Sequence, residues 1–322
     1  MPKTVSYEQA LLLFSVQTAW GQAATLNGGT ALLVENLKEQ VGVSDEDKMN
    51  PVSDDPLYKP VRKTNLRNVF GFDILWNYSG AAGTPSVLEG VLNICGMNSL
   101  VEADKNVTYT RGNINDLPSA TVKMIADIDG DKAYEYQGFN GRGQVGVTWE
   151  AAKVPRFNIT NLLASYMPPS ETTTITPDWK AQKTNIGESW EGEIGYDCHI
   201  VIDDTTHNLC LEKMNNDNIA AMTIAISPTA GCQAGAEATN AESMFSIKYK
   251  LPDFSSEFNP WSLDGKSIAI SFGCGSEAGK RIKITCDSVE VSGETTREAG
   301  AGSNTFINQK FRCLTAAVII EE

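Results

Sequence analysis

The chain has 322 residues, 41% of them hydrophobic, enough for one large or two ordinary domains with sizeable cores. Its formal net charge of −14 argues against tight nucleic-acid binding, which needs clustered Lys and Arg. No apolar run reaches membrane-spanning length, and the start lacks a convincing secretory signal, so the seven cysteines, with no repeated spacing, read as free thiols.

In chain order, residues 1–59 read as an N-terminal arm and extended loop. They hold the apolar run "ALLLFSV" and the acidic "SDEDKMNPVSDDP", with Pro51, Pro56 and Pro60 punctuating the end. Next, Phe70, Phe72, Ile74, Trp76 and Tyr78 alternate with smaller or polar residues, the period of a half-buried strand. Gly80 and Gly83 supply a turn, with Thr84 as a helix cap and Pro85 as its first position. Val87, Leu88, Val91 and Leu92 then form the apolar stripe of a helix over Ser86–Cys95, closed by Gly96. Strand, glycines and helix outline a phosphate loop. No Lys follows Gly83, however, and Pro85 removes an amide, so the turn is expected to be structural.

"ATVKMIADIDGDKAYEYQG" reads as two strands joined at Asp129 and Gly130. Asp127, Asp129 and Asp131 match the first ligands of a calcium loop, but Lys132 stands where Gly is needed and Gly138 where Glu is needed. "GQVGVTWEA" and "RFNITNLLAS" follow as strands, completing a first module over 60–166. The Pro- and Thr-rich stretch at 167–185 reads as a linker, and 186–322 as a second β-rich module. In that module "MFSIKYKLPDF", an alternating strand with Phe245, Ile247 and Tyr249, echoes "FGFDILWNYSG", and "KFRCLTAAVII" echoes "RFNITNLLAS", too weakly to prove duplication.

Little else points to chemistry. "FGCGSEAGKRIKI" misses the phosphate-loop pattern at Cys274 and Arg281 and reads as a hairpin. Cys198, His199, His207 and Cys210 could all ligate a metal. A hairpin turning about Asp204 would put Cys198 opposite Cys210 and both histidines on the other face, so no single site gathers them. No nucleophile–base–acid arrangement stands out, so no catalytic residue, cofactor or metal is expected. Trp76, Trp149, Trp190 and Trp261 are candidates for a carbohydrate-binding platform, or else core and interface residues.

The order of features resembles the bacteriophage tail tube proteins of siphovirus-like tails. "SGAAGTPSVLEGVLNICG" is similar to that family's Gly/Ala-Gly-Thr loop, helix and Cys-Gly. Gly138 and Gly141 match its Gly-rich segment after a strand pair, and Pro155 with "RFNITNLLA" matches its closing step and strand. "ALLLFSVQTAWG" and "GGTALLVENLKEQVG" look like its start. The likeness covers roughly residues 8–165 and is looser beyond, where "KRIKITCDSVEVSG" and the last strand carry it.

The resemblance implies a mainly β fold: sandwich or barrel modules with a short flanking helix, two in tandem. It also implies self-assembly into trimeric or hexameric rings, stacked into a tube through which DNA passes without specific binding. Tape measure, terminator and baseplate proteins would be its partners, the bacterial cytoplasm its place of assembly and the virion its location. Other readings left open are another tail component, such as a terminator or sheath protein, and a carbohydrate-binding β-sandwich.

Overall fold

The computed structural model describes residues 10–48, 61–129, 131–151, 153, 155–178, 195–226, 236–253, 258–275, 277–300 and 304–322. The chain is mainly β with one short α-helix among these residues. The first half contains β1 (Leu11–Val16), β2 (Ala31–Leu32), β3 (Glu35–Lys48), β4 (Val61–Leu75), α1 (Leu88–Ile94), β5 (Met97–Glu102), β6 (Asn106–Arg111), β7 (Ala120–Asp129), β8 (Lys132–Glu150), β9 (Arg156–Tyr166) and β10 (Ser170–Thr173). The second half contains β11 (Gly195–Ile202), β12 (Thr205–Asn208), β13 (Leu211–Asn216), β14 (Met222–Ile226), β15 (Ala236–Asn240), β16 (Met244–Lys250), β17 (Ile268–Cys274), β18 (Ile282–Val291), β19 (Thr296–Ala299), β20 (Thr305–Cys313) and β21 (Val318–Glu321).

The two halves repeat one topology. The first runs β2-β1-β7-β8-β9-β4-β3, every neighbour antiparallel. The second runs β12-β11-β17-β18-β20-β16-β13, again antiparallel throughout. Each position is filled in the same chain order, and the last long strand of each half lies between the same two neighbours, β9 between β8 and β4 and β20 between β18 and β16.

The register repeats too. Phe70, Phe72 and Ile74 lie opposite Leu162, Ile159 and Phe157. Phe245, Ile247 and Tyr249 lie opposite Phe311, Gln309 and Ile307. All six echo residues are buried, because period-two alternation turns them to one face while Gly71, Asp73, Ser246 and Lys248 turn to the other. One core cluster contains residues from both halves.

The expected arm is part of the first half, which begins at β1. Leu12 enters the main core, whereas Leu11 and Leu13 join a second cluster with Ala31, Ile125 and Ala133. Cover on both faces explains an unbroken apolar run that an alternation rule reads poorly. Part of the expected linker is also tied down: Ser170–Thr173 pairs with Lys132–Glu135, and Ile175 packs on the second cluster. Residues 179–185 lie outside the described residues. The two strands expected across 132–150 are one long strand, β8.

The helix is shorter than Ser86–Cys95 and begins at Leu88. Thr84 does not cap it. The Ser86 hydroxyl instead accepts the Leu88 N–H at 3.2 Å. Glu321, from the last strand, accepts the Ser86 N–H at 3.1 Å and its hydroxyl proton at 2.7 Å. Burial lifts the Glu321 carboxyl from 4.5 to about 7, although the hydrogen bonds from Ser86 and Tyr109 act downward.

Candidate assembly surface

The residues singled out in the sequence for the helix, strands and turns lie mostly in the core or in turns. Leu88, Val91 and Leu92 are buried, and Val87 is half-buried at the helix N-cap. Phe70, Phe72, Ile74, Trp76, Phe245, Ile247 and Tyr249 are all core. Gly80 and Gly83 have positive φ, and a Cβ on Gly83 would sit 2.4 Å from the Glu102 carbonyl oxygen. Asp129 pairs with Lys132 across the hairpin; Gly130 lies outside the described residues.

The Cys/His hairpin turns at Asp203 and Asp204, one residue tighter than expected. His199 lies opposite Asn208, Ile200 opposite His207, and the Leu209 N–H bonds to the Cys198 carbonyl. The histidines therefore fall on opposite faces, not on one. His199 Nδ1 lies 3.0 Å from an Asp197 oxygen, and His207 stacks on Phe258. No cluster of three or more metal-ligating side chains exists among the described residues. Trp76 and Trp149 are buried and Trp261 is half-exposed, so these three do not share an exposed face; Trp190 lies outside the described residues.

What the sequence reading missed is a seam between the halves. Edge strand β13 of the second half pairs antiparallel with the end of β8 in the first, on the side that β7 has vacated. Lys213, Met214, Asn215 and Asn216 lie opposite Glu150, Trp149, Thr148 and Val147. Gly146 makes room for it: a Cβ there would meet the Asn216 carbonyl oxygen at 2.7 Å. Asn216 is wholly buried and donates to Ser243 Oγ at 2.9 Å. The β14–β15 ribbon strengthens the seam, with Ile224 and Ala236 packing on Leu163 of the first half.

A polar ladder crosses this seam on the outer sheet face. Asn158 donates to Asp73 at 2.8 Å, and Thr148 Oγ lies 2.7 Å from Asn158 Oδ1 and 2.9 Å from Asn215 Oδ1. At matching positions in the second half, Lys248 lies between Glu298 at 3.1 Å and Glu212 at 3.2 Å, and Asn308 donates to Glu298 at 3.1 Å. The Glu298 hydrogen bond in particular raises the Lys248 pKa. Thr148, Asn215, Lys248, Thr296 and Asn308 help line a groove of about 780 Å³. A smaller groove of about 330 Å³, flanked by Lys38, Gly71, Asp73 and Ile159, lies at the equivalent place in the first half.

Among the strand edges that have one partner within the described residues, two occupy the places that β13 and the end of β8 fill at the seam. β3, the counterpart of β13, pairs only with β4. β19 continues the path of β18 along β20, as the end of β8 runs along β9, and it pairs only with β20. Edges of this kind are templates for strand addition. No protein-family model matches the chain, and no curated protein matches it.

Proposed function

We propose that this protein is a structural component of a phage virion that assembles into rings, which stack into the tail tube through which DNA passes. The observation that carries the reading is the repeat: two modules of one topology, joined edge to edge, with a complementary free edge left at each end. A module that pairs in this way once within the chain is suited to pairing again with another copy, and closure into a ring removes edges that would otherwise invite uncontrolled association. Three chains would give six modules around an axis.

The outer polar face fits the wall of such a tube. Arg156 lies 2.8 Å from Glu35, Lys248 sits between Glu212 and Glu298, and Arg312 contacts Glu290 and Glu242. Cations already matched by carboxylates hold phosphate weakly, and the net charge of −14 acts in the same direction. No helix among the described residues is long and apolar enough to cross a membrane. Tape measure, terminator and baseplate proteins are the partners this reading implies.

Negative-stain microscopy of the purified chain tests it. Hollow cylinders with stacked rings are expected. Single rings that never stack would point to a tail terminator, and a protein that stays monomeric at high concentration would contradict assembly.

A further inference from the structure

We infer that β3 of one copy adds to β19 of the next, in the register that β13 and β8 use inside the chain, with Lys38 facing Glu298 and Glu39 facing Arg297. The inference rests on the ring reading above and names the surface that would close the ring. It comes from superposing the two halves by strand register alone.

Thr148 and Glu298 occupy one position in the two modules, as do Val147 and Arg297. Thr148 lies opposite Arg156 and Val147 opposite Phe157, just as Glu298 lies opposite Phe306 and Arg297 opposite Ile307. On the partner strand, Asn215 lies opposite Ser246 and Asn216 opposite Phe245. Lys38 and Glu39 hold those places in the first module, opposite Gly71 and Phe70. The internal contacts Asn215–Thr148 and Asn216–Val147 therefore transfer to Lys38–Glu298 and Glu39–Arg297 between copies.

Nothing in the superposition uses charge, yet both transferred pairs are of opposite sign. Directly opposed unlike charges favour an antiparallel pair and like charges oppose it. Where the internal seam uses a neutral hydrogen bond from Thr148 to Asn215, the external one would use ion pairs. That difference suits a junction formed between separate molecules, which charge steers into register. Lys38 and Glu298 are exposed in the chain, as the pairing requires. Because the two edges differ, the contact is head-to-tail, and copies add in one direction until the ring closes.

Charge reversal tests this on the full chain. Lys38→Glu and Glu298→Lys should each cut the yield of assembled rings by roughly tenfold or more, and the double variant should recover most of it. Melting temperatures of the unassembled variants separate this from misfolding, since Glu298 also contacts Lys248 and Asn308 within its own chain. Mixing Lys38→Cys chains with Glu298→Cys chains under oxidation should give a dimer whose 38–298 linkage is mapped by mass spectrometry. If the wild type assembles but neither single reversal impairs it, or the double variant is not rescued, this junction is wrong and the ring reading stands. A wild type that remains monomeric removes both.

Discussion

Thr148 and Asn215 hydrogen-bond at 2.9 Å across the seam between the two halves, although 67 positions separate them in the chain. The contact places an edge strand of one module on the flank of the other and turns a tandem repeat into one continuous sheet. It also supplies the pattern from which contacts between copies are derived.

Gly146 should be intolerant of a side chain. Its Cβ would lie 2.7 Å from the Asn216 carbonyl and 3.1 Å from Asp217 Cα, both backbone atoms that cannot swing aside. Gly146→Ala should cost about 1–3 kcal/mol in chemical denaturation, the usual range for forced overpacking. Gly71→Ala, whose nearest neighbour would be the Ile159 carbonyl at 3.5 Å, is the control and should be nearly neutral. Equal effects would mean that the seam is looser than drawn.

Leu92→Ala should destabilise by about 2–5 kcal/mol, since the side chain is 1% exposed and its removal leaves a cavity beneath α1. An unchanged melting temperature would show that the helix stripe is not core.

Glu321 makes stability depend on pH in an unusual direction for a carboxylate. Its folded pKa lies above the ordinary 4.5, at about 7, so between those values the folded state holds more of the proton than the unfolded state. The cost of burying the charge is absent below about 4.5, grows as pH rises, and is complete above about 7. At about 1.4 kcal/mol per pK unit the full cost is on the order of 3–4 kcal/mol. Glu321→Gln should flatten that part of the pH–stability curve and equal or exceed the wild type at pH 8. A wild type whose stability rises across the same window relative to the variant would refute the assignment.

The Cys/His hairpin should not take up stoichiometric zinc, because its histidines point to opposite faces. Metal analysis after incubation with zinc is expected to show no difference between wild type and Cys198→Ser. One equivalent, lost in the variant, would contradict the geometry.

Local pattern carried much of the fold. The alternation at Phe70–Ile74 and Phe245–Tyr249 announced strands, the stripe at Leu88–Leu92 a helix, and the glycines at 80 and 83 a turn. What stayed hidden is non-local. The sequence "LEKMNN" does not say that it will lie on β8, and nothing near Ser86 announces that its partner is Glu321, 235 positions away. The run Leu11–Leu13 misled because both its faces are covered, which erases alternation. The repeat showed in the sequence only as a weak echo because topology and register are shared by residues as different as Thr148 and Glu298; only strand order makes them equivalent.

The most direct test is a moderately resolved reconstruction of the assembled particle. Three chains per ring are predicted, with the two modules of each alternating about a pseudo-sixfold axis, β3 seated on β19 of the next copy, and both modules facing the lumen. Six chains per ring, with the second module decorating the outside, would contradict the account.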